Sequence, residues 1–263
     1  IRMDDNPALK KAFEECDSVI SVYAWSPEQL KKHNEANIKQ DFLVQNLKSL
    51  AANLNAVNVP LLIKESESFH TVKDEIANLI QEHSINKIYW NKEFALDEIN
   101  RDKDVHDALE AQSVEIQIFN DQIIYEPGFL RTGQDNPFSV FTPFKRRWIE
   151  NFDMKFLDIT FDYPTKDKLN FESNVDTFDF GFTSTHGVDM NLWPIGEASA
   201  LDRVNDFLDN KAVDYSKNRN DPILDGTSRI SPYLALGIIS SKRCILEGLK
   251  KNNFELSSGN IGI

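Results

Sequence analysis

Apolar residues recur along the first half of the chain in two alternating periods. Asn6-Pro7 has the chemistry of a helix cap and first turn, and "ALKKAFEEC" (8–16) after it carries apolar positions at helical spacing. "SVISVYAW" (18–25) is the apolar, β-branched run that a buried strand needs. Over about 38–55, Phe42, Leu43, Leu47, Leu50 and Leu54 fall on one helical stripe. "VPLLIKES" (59–66), "INKIYWN" (85–91) and "VEIQIFN" (114–120) read as strands. "VKDEIANLIQEHS" (72–84) and "EINRDKDVHDALEAQ" (98–112) read as helices. Strands joined through helices pair in parallel, because each return needs a crossover. The pattern therefore predicts an α/β domain over 1–128, with a mostly parallel, Rossmann-like sheet covered by helices. This domain opens on a helix, so an initial strand is expected to be missing from it.

After Gly128 the texture changes. Residues 129–197 mix aromatics, prolines and Asp/Asn/Ser/Thr clusters with little periodicity, the pattern of a long interdomain linker. Helical spacing returns in "ASALDRVNDFLDN" (198–210), in the apolar half of "DGTSRISPYLALGIIS" (225–240) and in "KRCILEGLKK" (242–251). These helices are too few for a core of their own. Residues 198–263 are therefore expected to begin an all-α domain that is incomplete at its C-terminus, where "SSGNIGI" (257–263) closes nothing.

Composition narrows the function. The 263 residues are 41% hydrophobic and 11% aromatic, enough for packed cores. A net charge of −13 excludes a generally sticky nucleic-acid binder, so any DNA contact must come from a local basic patch. Cys16 and Cys244 lie far apart without metal or redox spacing, and are expected to be buried free thiols in a reducing compartment. No apolar run approaches the ~20 residues of a membrane span, and no signal peptide is visible. A cytoplasmic location is the expectation. The first glycine is Gly128, so residues 1–127 hold no Rossmann glycine fingerprint and no P-loop. Neither a catalytic triad nor a set of metal ligands emerges.

The stretch at 225–240 carries the strongest chemistry. Gly226, Thr227, Ser228, Arg229 and Ser231 stand directly before a short apolar helix. Ser231-Pro232 suits a helix start, and Thr227 and Ser228 can close the turn begun by Asp225-Gly226. The same residues can instead hold an anion, with free N–H groups at the helix start and a guanidinium fork beside them. Both readings stand on the residues alone.

Four segments in order, "DNPAL" (5–9), "VFTPFKRRW" (140–148), "WPIGEASA" (193–200) and "DGTSRISPYLALGIIS", resemble the DNA photolyase/cryptochrome family. The resemblance spans essentially the whole chain and is nearest to photolyases of the cyclobutane pyrimidine dimer class. It implies an α/β antenna domain, a linker, and the N-terminal part of a helical FAD-binding domain. By match, Tyr215, Thr227, Ser228, Arg229, Ile230 and Ser231 would line the FAD site near the pyrophosphate. His33, Asp97 and Glu98 would hold an antenna chromophore, methenyltetrahydrofolate. Asp97 departs from the family's Asn-Glu pair, and its alternative role is to cap a helix with Glu98 in the first turn. Arg219 matches an arginine that touches the DNA backbone. "KRRW" (145–148) reads as a solvated helix face, and His70, His83 and His106 as helix-surface histidines.

The resemblance implies light-dependent repair of UV-damaged DNA by a monomeric flavoprotein, without membrane association. Excited reduced FAD donates an electron to the dimer, so no side chain of this chain is catalytic in the chemical sense. Residues around the flavin ring, the electron relay and the dimer pocket fall outside the chain. The chain alone is expected neither to hold FAD nor to repair DNA. The alternatives are a cryptochrome-type light sensor on the same fold, and a nucleotide-binding α/β module without photochemistry.

Overall fold

The computed structural model describes residues 1–110, 112–182 and 187–256, so the segment at 257–263 lies outside the described residues. The chain forms two compact units. The first joins Ile1–Asp121 to Phe161–Gly196, and the second joins Gln122–Thr160 to Glu197–Ile263. The stretch read as linker is thus shared between them, 161–196 with the first and 129–160 with the second.

In the first unit, Asn6 caps α1 (Pro7–Glu15): its Oδ1 accepts from the Leu9 N–H at 3.1 Å. β1 (Ser21–Trp25) leads through α2 (Pro27–Lys32) and α3 (Asn37–Asn55) to β2 (Leu61–Glu65). The five apolar stripe positions of α3 are all buried. α4 (Val72–His83), β3 (Lys87–Asn91), α5 (Leu96–Glu110) and β4 (Glu115–Phe119) complete the alternation. Val72, Ile80, Val105 and Leu109 form the core under β3 and β4, packed with Ile88 and Ile116.

The strands pair in parallel as expected, but as two pairs, β1 with β2 and β3 with β4. The backbone parity shows which residues face away from each ladder. The Ser21 N–H donates to Pro60 O and the Ser66 N–H to Trp25 O, so Val22 and Ala24 turn their backbone groups away from β2. Bonds from Glu115 to Asn86 and from Lys92 to Phe119 likewise turn Lys87, Tyr89 and Asn91 away from β4. No ladder joins β1 to β3 among the described residues.

The outer edge of β2 is occupied by side chains from 161–196. Asn174 Oδ1 accepts from the Ile63 N–H at 2.7 Å, and its Nδ2 donates to Ile63 O at 3.0 Å. Ser173 Oγ accepts from the Leu61 N–H at 2.8 Å. Trp25, at the end of β1, is buried edge-on to Phe180 at 4.9 Å. Lys166 closes the C-terminal end of α1, its ammonium donating to Phe13 O at 2.7 Å and to Cys16 O.

The second unit contains α6 (Phe141–Glu150), which the periodicity of 129–197 does not show and only the reading of "KRRW" as a helix face anticipates. An aromatic cluster positions it: Tyr125 packs on Trp148 at 5.6 Å and Phe156 at 5.3 Å, and its hydroxyl donates to Trp148 O at 3.0 Å. Lys145, Arg146 and Arg147 lie exposed on this helix, the solvated face expected of "KRRW". α7 (Glu197–Asn210) packs against α10 (Ser241–Lys251), with α8 (Tyr215–Asn218) and α9 (Ser231–Ala235) as single turns between them. Gly196, before α7, has φ +98, and a Cβ there would lie 2.9 Å from Ser49 Oγ, so "WPIGEASA" requires its glycine.

Both cysteines are free thiols, half-buried where full burial was expected. Among the described residues, no helix is long and apolar enough to cross a membrane.

Candidate functional site

Each unit gathers one group of the residues singled out by sequence. In the second unit, Tyr215 opens α8 and Arg219 follows it, with the guanidinium over the Tyr215 ring at 5.7 Å. The loop 225–230 comes back onto this turn through Gly226. A Cβ at Gly226 would meet Asn218 Cβ at 2.6 Å and the Asn218 carbonyl carbon at 3.1 Å, so only glycine permits the approach. Tyr215, Arg219 and the Thr227–Ser231 segment are thereby brought together.

The helix-cap reading of this segment is corrected by the backbone. Ile230, with φ −81 and ψ −12, occupies the cap position without a side-chain cap bond, and Ser231 is already the first helical residue. α9 has only five residues, so its aligned peptide dipoles are few. The side chains provide the donors instead. Thr227, Arg229 and Ser231 are exposed and Ser228 is half-exposed. The three hydroxyls make no hydrogen bond among the described residues. Arg229 adopts the left-handed conformation, φ +50, and pairs with Asp225 at 3.0 Å. Asp225 also accepts from Lys211 at 2.8 Å, and that bond holds its carboxyl below the usual carboxylate range. Lys211 can therefore neutralise Asp225 if Arg229 turns to another anion. Three unpartnered hydroxyls and a guanidinium are a donor set suited to phosphate oxygens.

In the first unit, His33 and Asp97 meet beside a cleft of about 480 Å³ between α2, the 3-10 turn Phe69–Thr71 and the start of α5. Asp97 Oδ2 accepts from Lys32 Nζ at 2.6 Å and from Gln29 Nε2 at 2.8 Å, and lies 3.3 Å from His33 Nε2. These contacts, Lys32 first, hold the Asp97 carboxyl well below its ordinary range. α5 begins at Leu96, which places Asp97 and Glu98 in its first turn, where negative charge is favourable. Glu98 is half-buried and does not line the cleft.

Sequence reading missed Gln29 and Lys32 as partners of Asp97, although Ser26-Pro27 signals the start of the α2 turn that carries them. His70, read as an ordinary surface histidine, is exposed, lines the cleft and meets Asp104 at 3.0 Å.

Residues 1–164 match the family model described as DNA photolyase. The chain belongs to the DNA photolyase family. Its relatives include the deoxyribodipyrimidine photo-lyase of Vibrio cholerae, 29% identical over 98% of this chain and 55% of that protein. The enzyme of the same name from Buchnera aphidicola subsp. Acyrthosiphon pisum is 30% identical over 96% of the chain and 52% of its own length. This photolyase-family chain thus spans about half the length of the curated relatives it matches.

Among solved structures, the class III photolyase of Agrobacterium tumefaciens superposes with a TM-score of 0.79 at 25% identity, over 99% of this chain and 53% of that one. The Sulfolobus tokodaii photolyase, a structure with two FAD molecules, shares the fold at TM-score 0.73 and 21% identity, over 96% of this chain and 54% of that one. A cryptochrome from Synechocystis shares it at TM-score 0.73 and 19% identity, over 98% of this chain and 55% of that one.

Proposed function

We propose that these residues belong to a light-dependent DNA-repair lyase that splits cyclobutane pyrimidine dimers by electron transfer from excited reduced FAD. The observation that carries this reading is the exposed donor set of Thr227, Ser228, Arg229 and Ser231, held against Asn218 by Gly226, in a chain of the DNA photolyase family. The donor chemistry fits the pyrophosphate of FAD. The hydroxyls and the guanidinium would donate to its oxygens, and Tyr215 and Ile230 would complete that wall. FAD, when bound, supplies the photochemistry, while the protein holds and orients it.

Arg219 is assigned to a phosphate of damaged DNA. Stacking over Tyr215 orients its guanidinium while leaving the residue exposed. For the second chromophore we propose methenyltetrahydrofolate at the cleft beside His33, Asp97 and Glu98. The likeness to a cryptochrome supports a second reading, a light sensor without repair.

One experiment separates these readings. The whole protein is incubated with dimer-containing DNA in light and in darkness, and remaining dimers are counted. Loss of dimers in light alone is the expected result. Persistence of dimers in a flavin-loaded, illuminated sample would sink the repair reading and favour the sensor. Binding of the same DNA at several salt concentrations tests Arg219. Arg219→Ala should flatten the slope of log K against log salt by about one unit. An unchanged slope removes Arg219 from the DNA contact.

A further inference from the structure

Charges of alternating sign run in series from the end of α7 to the loop 225–230. Asp206, on α7, pairs at 3.1 Å with Lys211, the residue that follows the helix. Lys211 Nζ donates to Asp225 Oδ2 at 2.8 Å, and Asp225 Oδ1 meets the Arg229 guanidinium at 3.0 Å. The Asp225 carboxylate thus gives one oxygen to each cation. The two ends of the series differ. The Lys211 side chain is 23% exposed and has two carboxylate partners. Arg229 is 48% exposed, and Asp225 is its one partner among the described residues. Lys211 also does more than Arg229 to hold the Asp225 carboxyl below its ordinary range. The series is therefore anchored at Lys211 and open at Arg229. The Asp225–Arg229 pair closes over Gly226, Thr227 and Ser228, with Arg229 at φ +50, a region that suits glycine far better than arginine.

We infer that Asp225 is a latch on Arg229, competing with the pyrophosphate for its guanidinium, and that Lys211 keeps Asp225 neutralised when Arg229 leaves it; this rests on the FAD reading above. Asp225 and Lys211 are positioning residues, acting through Arg229. A guanidinium meets a carboxylate and a phosphate with the same planar fork, so the two anions compete for one set of donors. Without Lys211, the exchange would leave a lone carboxylate beside an incoming negative charge. With Lys211, each charge has a partner of opposite sign both before and after the exchange. A carboxylate among donors suited to anions then has a defined effect. It lowers the affinity for the anion in proportion to the share of molecules in which Arg229 is held. Because the Arg229–Asp225 pair is exposed, that effect is a modest factor.

The test strips flavin from the whole protein and titrates back FAD or riboflavin, which lacks the pyrophosphate, following flavin fluorescence. The unaltered protein should bind FAD more tightly than riboflavin, and Arg229→Ala should narrow that preference. Asp225→Asn should tighten FAD by about two- to fivefold, the scale of an exposed ion pair, and leave riboflavin unchanged. Lys211→Met should weaken FAD by a similar factor, and should lose most of that effect when combined with Asp225→Asn. A merely structural role would weaken both ligands alike. Asp225→Ser serves as a second neutral variant, and unchanged thermal melting of each variant certifies folding. Unchanged or weaker FAD binding in both neutral variants, with FAD still preferred to riboflavin, overturns the latch and leaves the FAD reading standing. An equal effect of Lys211→Met with and without Asp225→Asn refutes the exchange. Equal affinity of the unaltered protein for FAD and riboflavin overturns the pyrophosphate assignment and the latch together.

Discussion

Glu15 shows what single residues contribute where separated elements meet. Its carboxylate accepts from Lys11 Nζ at 2.8 Å, the Tyr89 hydroxyl at 2.8 Å, Gln117 Nε2 at 3.0 Å and Lys87 Nζ at 3.2 Å. α1, β3 and β4 are thereby joined at one side chain. The bonds from Lys11, Tyr89 and Lys87, in that order, hold its carboxyl down to about 2, below the ordinary 4.5. A depressed folded-state pKa stabilises above the unfolded value, and the contribution is lost as pH falls from 4.5 towards 2. Glu15→Gln should therefore lower the urea midpoint at neutral pH and flatten its fall across that window. A variant whose acid limb parallels the parent's would show that the network adds nothing. Only the Lys11 contact, four positions away on α1, is within reach of sequence; Lys87, Tyr89 and Gln117 lie 72 to 102 positions away. Asp97 shows the same limit: His33 and Asp97 are legible as candidates, but Gln29, which bonds both, and Lys32, which bonds Asp97, become partners only once α2 is folded beside α5.

Among the elements, those with a strong period were readable and those held by tertiary contact were not. The α3 stripe and the α1 cap fell where the pattern put them. α6 did not, because its side chains are mostly exposed and its place is set by Tyr125, Trp148 and Phe156. The segment 161–196 carries no helix or strand among its described residues, yet it performs a strand's task on β2. Asn174 offers Ile63 one acceptor and one donor, as a neighbouring strand would, and so blocks an otherwise open edge. Ile63 is 1% exposed, so removing that amide strands two buried backbone groups. Asn174→Ala should cost about 2–6 kcal/mol in urea unfolding, from about 1–3 kcal/mol for each of the two unsatisfied groups. A loss below about 0.5 kcal/mol, typical of a surface change, would mean that water replaces Asn174 freely.

For the molecule as a whole, the proposed FAD wall and the extent of the chain lead to one prediction. Thr227, Arg229 and Ser231 are exposed, as a pyrophosphate contact requires, but they form a single wall. The second unit also exposes apolar side chains, Ile223 at 90% and Val213 at 75%. The chain covers 55% of its Vibrio cholerae relative, so the remaining length of such a protein is available to supply other walls. A flavin held only through its pyrophosphate gains little from burying its ring, while the loop must still be ordered to hold it. Residues 1–263 purified alone should therefore retain far less flavin per chain than the whole protein after gel filtration. Exposed apolar surface should make the short chain bind a hydrophobic dye that the whole protein ignores. Adding Arg229→Ala to the whole protein should then lower flavin retention without raising dye binding, since the guanidinium contributes a contact and no core. Near-stoichiometric flavin on residues 1–263 would overturn the single-wall argument. It would mean that Tyr215 and Thr227–Ser231 form a far more complete site than their exposure implies.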